Sequence, residues 1–212
     1  TTGSVADVYD LIQEYDNYII AETFVKVEHA LLGLEGTDID KVTTVYSHPQ
    51  GFMQCEKFLS EHKDWQQISQ ANTAGSAKKV LVENDRSHVA IASEEAAEVY
   101  NLTVLKSKIN DLDNNTTRFV IVTNTRKFVK NARKMSIVFE TTNETGTLYN
   151  LLSHIIYNGL NMNKIESRPI EGRQWEYRFF IDFEGNIDDP AVMNALRGIE
   201  EEAQAIKLLG NY

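Results

Sequence analysis

Cysteine is almost missing from this chain. Cys55 is the single one in 212 residues, which excludes an internal disulfide and fits a reducing, cytoplasmic setting. Positive charge is short as well. Against 31 Asp and Glu stand 21 Lys and Arg, for a formal net charge of -10, and that balance argues against nucleic acid and against an anionic membrane as the main partner. No apolar run is long enough to cross a bilayer, and no signal peptide precedes the first helical stretch. No group of His, Cys and acidic residues has metal-ligand spacing, so neither a metal nor another cofactor is implied. What is present is ordinary for a globular protein: 42% hydrophobic and 25% charged residues, in a length that buries a sizeable core in one or two domains. The chain opens at Thr1, which is not a natural initiator, and runs almost at once into a helix; this leads us to expect further sequence upstream.

Hydrophobic periodicity orders the first part. Ser4 and Asp7 make a capping pair, and Val5, Val8, Tyr9, Ile12 and Tyr15 recur at helical spacing over residues 5–15. Residues 18–21 and 24–32 read as extended, rich in β-branched and aromatic side chains. Residues 42–46 make a buried strand that runs into Ser47-His48-Pro49-Gln50, where Pro49 suits a first helical turn. A helix follows over about 49–62, then at most a stub of strand at Ile68, a helix capped at Asn72-Thr73, a strand over 88–92 and a helix capped by Ser93. Residues 102–105 and 119–122 complete the module. Strands alternate with helices, which predicts an α/β fold with a largely parallel sheet. Three strands end in Ser, Thr or Asn and open a helix, at Ser47, Thr73 and Ser93. Helix N-termini gathered at one sheet edge present amides to an anion; plain capping accounts for each of them singly.

Residues 124–135 hold Arg126, Lys127, Lys130, Arg133 and Lys134 without apolar periodicity and read as a solvated linker. From Ser136 the pattern changes to strand, helix, a hairpin of two strands turning at Glu171-Gly172-Arg173-Gln174, a helix and a last strand. That order, βαββαβ, predicts a ferredoxin-like sandwich over residues 136–212.

The stretch Asn114-Asn115-Thr116-Thr117-Arg118-Phe119 places hydroxyls, a guanidinium and an aromatic ring at the mouth of an apolar strand. Ligands are often held at such a place; an Asx/Thr turn feeding a strand is the plain alternative.

Four short motifs occur in order: Ser47-His48-Pro49-Gln50, Gln54-Cys55, Thr117-Arg118-Phe119 and Glu166-Ser167-Arg168-Pro169. Together they resemble the prephenate dehydratases that carry a C-terminal ACT regulatory domain, and most nearly the dehydratase and ACT parts of the bifunctional chorismate mutase–prephenate dehydratases. The resemblance runs from Gly3-Ser4-Val5 to Leu209-Gly210-Asn211-Tyr212. It implies a two-lobed, periplasmic-binding-protein-like dehydratase domain over 1–123, incomplete at its N-terminus, a linker over 124–135 and an ACT domain over 136–212. It implies an enzyme of L-phenylalanine biosynthesis that decarboxylates and dehydrates prephenate to phenylpyruvate. Arogenate dehydratase, acting on the amino analogue, and a non-catalytic amino-acid sensor are the alternatives. Family members carry a stretch before Gly3 that lines the cleft, so this polypeptide alone is expected to turn over little; a chorismate mutase domain further upstream is open.

Carried onto this sequence, the resemblance makes Thr117 the general acid, a weak acid that acts by positioned hydrogen bonding in a dry cleft. Ser47 and Gln54 match substrate-pocket positions, although a helix cap and a surface helix residue explain them locally. Thr73 can offer its hydroxyl and the following amides to a carboxylate. Arg118 either holds a substrate carboxylate or ties loops together, since arginine suits bidentate pairing in both roles, and Phe119 packs on the ring or the core. His48 is explained by the turn into Pro49. In the regulatory part, Glu166, Ser167, Arg168 and Pro169 and the loop Gly146-Thr147-Leu148 of a neighbouring subunit are implied to bind L-phenylalanine. Thr147 stands where a smaller residue is usual, which puts phenylalanine sensitivity in question. A homo-oligomer, dimer or tetramer, joined partly through ACT domains, follows.

Overall fold

A computed structural model describes residues 5–212, which divide into two compact units: Phe24–Thr117, and the residues up to Thr23 together with Arg118–Tyr212. In chain order the elements are α1 (Ala6–Glu14), β1 (Tyr18–Lys26), β2 (Ala30–Gly33), β3 (Thr44–Ser47), α2 (Pro49–Gln54), α3 (Glu56–Ser60), β4 (Gln66–Ser69), α4 (Thr73–Glu83), β5 (His88–Ala92), α5 (Glu94–Tyr100), β6 (Thr103–Lys106), β7 (Thr116–Thr123), β8 (Lys134–Thr141), α6 (Thr147–Tyr157), β9 (Met162–Pro169), β10 (Tyr177–Glu184), α7 (Pro190–Glu202) and β11 (Ala205–Asn211). No described helix is long and apolar enough to cross a membrane.

In the first unit the sheet order is β4-β3-β5-β2-β6. β3 runs parallel to β4 and β5, whereas β2 is antiparallel to both β5 and β6. The sheet is therefore mixed, where alternation predicted a largely parallel one. The reason is connectivity. Helical crossovers align β3, β4, β5 and β6, but β2 arrives from β1 without a crossover helix and is inserted against their direction. Ala30, Leu31 and Leu32 are fully buried because both faces of the sheet are covered. On one side Ala30 and Leu32 meet Ala77 and Val80 of α4 and Ala96 and Ala97 of α5. On the other, Leu31 meets Cys55, Phe58, Leu59 and Trp65.

The predicted helix over 49–62 is two short ones. It breaks at Cys55, whose backbone leaves helical geometry at φ -123, ψ 27, and the buried side chain there is anchored in the core. Burial pushes its thiol up to about 12, so it is inert as a nucleophile. The stub expected at Ile68 is a full strand, β4, because its edge pairing with β3 is set by backbone register and not by apolar content. The extended stretches expected over 18–21 and 24–32 are a continuous β1 ending at Lys26 and a separate β2. The expected Ser4 cap lies outside the described residues; α1 follows Val5, which makes no side-chain cap.

In the second unit β11, β8, β10 and β9 form an antiparallel sheet in the order of a ferredoxin-like βαββαβ unit. Alternation along the strands separates two faces. Ile137 and Phe139 of β8 and Ile181 and Phe183 of β10 pack under Leu151 and Ile155 of α6 and Val192 and Ile199 of α7. The opposite face, with Val138, Phe180 and Leu209, is covered by Tyr9 and Ile12 of α1 and by Ile19. β1 extends the sheet beside β11, parallel to it, with Ile19 opposite Gly210. A Cβ at position 210 would stand 2.3 Å from the Ile19 carbonyl oxygen, so only glycine admits β1 this closely. β7 lies beyond β1 at the sheet edge. Residues 119–122, expected to complete the first module, belong here, since an apolar run does not say which sheet it joins.

Candidate functional site

Along β7, Thr116, Thr117 and Phe119 are exposed while Arg118 turns inward. No described residue hydrogen-bonds the Thr117 hydroxyl, whereas the Arg118 guanidinium donates from all three of its nitrogens. It donates from Nε to Glu22 Oε2 at 2.6 Å, from Nη1 to Asp182 Oδ2 at 2.5 Å and from Nη2 to the Tyr212 hydroxyl at 2.6 Å. Ser136 donates to the other Asp182 oxygen at 2.5 Å and lies 2.8 Å from the Tyr212 hydroxyl. Lys134 pairs with the other Glu22 oxygen at 2.5 Å. Burial works against the Arg118 charge, but Asp182, Tyr212 and Glu22 outweigh it and raise its pKa. The Tyr212 hydroxyl is pushed up to about 12, first by burial and then by Asp182. Of the two roles open to Arg118, these three bonds are those of a tie, which clasps β7 to β1, β10 and Tyr212; one N–H on each of Nη1 and Nη2 takes no part in it.

In the first unit the parallel strands β3, β4 and β5 end at one edge of the sheet, where ligands of open α/β sheets are usually held. Ser47 is fully buried and donates to the Ile91 carbonyl at 2.9 Å. It does not cap α2; the His48 Nδ1 does, accepting from Gln50 N at 3.2 Å. The fixed φ of Pro49 places the His48 side chain for that bond. Thr73 likewise is the first residue of α4 and not its cap, which is Asn72, accepting from Gly75 N at 2.6 Å. Ser93 caps α5 as expected from the sequence, at 3.4 Å from Ala96 N. Ser47 and Thr73 converge on Gly51, where an added Cβ would stand 2.3 Å from Ser47 Oγ and 3.6 Å from Thr73 Cγ2.

Gln54, the last residue of α2, lines a cavity of about 380 Å³ with Met53, Lys57, Asn110, Asp111, Leu112 and Asn115. Its side-chain oxygen is 2.7 Å from His29 Nε2, so it is not the free surface residue that local pattern allows. Sequence reasoning missed His29, Lys57 and residues 110–112, while Asn115 lies in the stretch it singled out. The one local signal was a lone histidine ahead of the apolar run Ala30–Leu32, which ordinarily marks a satisfied core residue. Among the described residues no group of three or more His, Cys, Asp and Glu side chains is placed to hold a metal ion.

The motif Glu166-Ser167-Arg168-Pro169 occupies the edge strand β9. Register with β10 sets Glu166 opposite Phe180 and Arg168 opposite Arg178 on the α1 face, and Ser167 opposite Phe179 on the helical face. Arg168 pairs with Asp10 of α1, at 2.5 Å from Nη2, and that bond holds the Asp10 carboxyl below its usual range. A groove of about 640 Å³ runs beside this pair, lined among others by Arg168, Pro169, Glu171 and Arg178. Gly146, in the left-handed region at φ +84, and Thr147 and Leu148 open α6. Thr147 Oγ1 donates to the Glu144 carbonyl at 3.0 Å, and Leu148 packs into the helical-face core. Within one chain Glu166 and Arg168 therefore face the side of the sheet away from Gly146–Leu148, while Ser167 shares the helical side with them.

These features define a mixed α/β chain with a ligand-sized cavity in one unit and a helix-covered sheet in the other. The sequence pattern of the prephenate dehydratases matches residues 1–127, and the chain belongs to the prephenate dehydratase family. It is 36% identical to the bifunctional chorismate mutase/prephenate dehydratase of Pseudomonas aeruginosa over 213 residues, which is 100% of this chain and 58% of that protein. It is 34% identical to arogenate dehydratase/prephenate dehydratase 2, chloroplastic, of Arabidopsis thaliana, over 99% of this chain and 58% of that one. Among solved structures, the prephenate dehydratase of Arthrobacter aurescens in complex with L-Phe superposes with a TM-score of 0.90 at 28% identity, over 99% of this chain and 71% of that chain. The chain thus spans a little over half the length of the curated relatives it matches.

Proposed function

We propose that this chain carries the dehydratase and regulatory parts of an enzyme that converts prephenate to phenylpyruvate and is held back by L-phenylalanine. The dehydratase part is residues 1–123, two-lobed like a periplasmic binding protein, and the regulatory part is an ACT domain over 136–212, joined by a linker over 124–135. Family membership supports the reaction, and one observation carries the assignment of the acid: Thr117 stands exposed on β7 with no hydrogen bond to its hydroxyl among the described residues, beside an Arg118 tied in place. In the reaction the ring carboxylate leaves as carbon dioxide. The electrons of that C–C bond enter the ring, which becomes aromatic as the ring C–O bond breaks. The Thr117 hydroxyl donates to the departing oxygen, which leaves as water, and Thr117 regains its proton from solvent. Ser47, Gln54, Thr73, Arg118 and Phe119 are the residues assigned to substrate binding in this reading. L-phenylalanine binds at Glu166, Ser167, Arg168 and Pro169 of one subunit and at Gly146, Thr147 and Leu148 of another, so the working form is a homo-oligomer. The placement of Glu166 and Arg168 on the face away from Gly146–Leu148 in one chain supports that division, and the L-Phe complex of the Arthrobacter relative supports L-phenylalanine as the effector.

A second reading, arogenate in place of prephenate, is favoured by the double name of the Arabidopsis relative. Product formation from each substrate is the test, with and without L-phenylalanine, in the whole protein and its Thr117→Ala and Thr117→Ser variants. Thr117→Ala is expected to lower turnover by about 10²–10⁴-fold with circular dichroism unchanged, and Thr117→Ser to retain part of it. Wild-type rates in Thr117→Ala would remove the threonine from the chemistry.

A further inference from the structure

The cavity beside Gln54 is built on a residue that no motif singled out. His29 is 6% exposed and holds both of the segments that wall the cavity. Its backbone N–H donates to Asn110 Oδ1 at 3.2 Å, and its carbonyl accepts from Ile109 N at 2.9 Å. Its ring Nε2 meets Gln54 Oε1 at 2.7 Å. An amide oxygen only accepts, so the proton of this bond sits on Nε2. The other ring nitrogen, Nδ1, is buried with no hydrogen-bond partner among the described residues. An orphaned buried nitrogen is costly, and an apolar side chain would fill this place without that cost. Packing alone therefore does not account for a histidine here, whereas holding Gln54 does.

The acceptors of the cavity wall are mostly consumed. The Gln54 carbonyl accepts from Asp111 N at 2.8 Å, and the Asp111 carboxylate accepts from Lys57 N at 3.1 and 3.3 Å. The Asn110 amide donates to the Leu112 carbonyl at 2.7 Å. With its oxygen held by His29, Gln54 presents its side-chain NH₂ as a donor. Lys57, exposed at the rim, has no ion pair among the described residues. The wall also carries the Asp111 carboxylate, held by the Lys57 backbone N–H; the Gln54 amide and the Lys57 ammonium are the donors set beside it, and together they suit an acceptor of single negative charge.

We propose that this cavity is a carboxylate subsite, in which the Gln54 amide and the Lys57 ammonium hold one carboxylate of the substrate and His29 is the positioning residue that aims Gln54. The inference rests on the reading of prephenate, which carries two carboxylates, as the ligand. Its volume, about 380 Å³, is that of a small-molecule site.

The test is calorimetric titration of the whole protein with prephenate, for wild type, His29→Leu, Gln54→Ala, Lys57→Met and the His29→Leu/Gln54→Ala double variant, with turnover followed in the same samples. Each single change is expected to weaken binding about tenfold. The double variant is expected to bind no worse than Gln54→Ala, because the two residues act as one. His29→Gln, whose amide also reaches Gln54, is expected to recover most of the loss. Wild-type affinity in His29→Leu or Lys57→Met, losses that multiply in the double variant, or no binding by wild type overturns the subsite. If His29→Leu does not fold, the proposal stands or falls on Lys57→Met and His29→Gln, the first a surface change and the second a hydrogen-bonding replacement. Binding that follows this pattern without turnover keeps the subsite and overturns the reaction. Turnover with unchanged KM in His29→Leu and Lys57→Met keeps the reaction and overturns the subsite.

Discussion

Arg118 and Thr117 are neighbours on one strand and have opposite fates, because successive side chains on a strand point to opposite faces. Thr117 is left exposed; Arg118 meets two carboxylates and a hydroxyl in a partly dry setting, where a planar five-donor fork is worth more than at the surface. Removing it would leave Glu22 and Asp182 facing each other's surroundings with less compensation. Arg118→Ala is expected to cost about 3 kcal/mol in denaturant unfolding, and Arg118→Lys most of that. Glu22 also gives the site a pH signature. Burial raises its pKa, but the Lys134 hydrogen bond and the Arg118 charge lower it further, for a net value below 4.5. A carboxyl depressed in the folded state adds stability that is fully present above its unfolded value and is lost as pH falls through its folded one. Thermal stability should therefore fall away below about pH 4.5, and Glu22→Gln should flatten that acid limb. An unchanged acid limb would show that Glu22 is not part of the linkage.

Among the elements, β1 and α1 carry the arrangement of the second unit. β1 docks on β11 only because Gly210 has no side chain to strike the Ile19 carbonyl. Gly210→Ala is expected to cost about 2 kcal/mol, with amide protection lost along β1 while β8 and β10 keep theirs. Retained protection in β1 would mean that the strand shifts to make room. α1 lays Asp10 against Arg168, one of the residues proposed to bind the effector. Effector and Asp10 then compete for one guanidinium. Asp10→Asn is expected to tighten L-phenylalanine binding, by about threefold for so exposed a pair; unchanged affinity would separate α1 from the effector site.

At the scale of the molecule, each unit has its own apolar clusters, and cores that do not merge unfold with some independence. Urea unfolding is expected to show two transitions. Trp65, buried in the first unit, reports one of them, and Arg118→Ala moves only the other. A single coincident transition in both proteins would show that the units unfold together. The chain threads between them inside β1 and inside β7, and Thr117 and Arg118 fall on either side of that second passage.

Local chemistry is readable from residue order, and it determined much here. Helix periodicity located α1, α4, α6 and α7. The strand–helix alternation gave the α/β class, the βαββαβ order was legible from Ser136 onward, and four motifs pointed to the family. Pairing and burial are not local, and they decided the rest. β2 reads as any apolar run, yet its lack of a crossover helix makes the first sheet mixed. Residues 119–122 read as part of the first module, yet they complete the second sheet. Ser47 reads as a cap, while His48, the next residue, does the capping; at Asn72-Thr73 the cap is Asn72 and Thr73 is already helical. Arg118 reads equally as a carboxylate holder or a tie, and its bonds go to partners 64 to 96 residues away in sequence. His29 was invisible as a functional residue, since only the folded chain brings residues 29, 54 and 110 together around one cavity. Sequence sets what each segment prefers within a few residues; which distant groups meet, and which polar atoms are left over to act, is fixed only when the chain closes on itself.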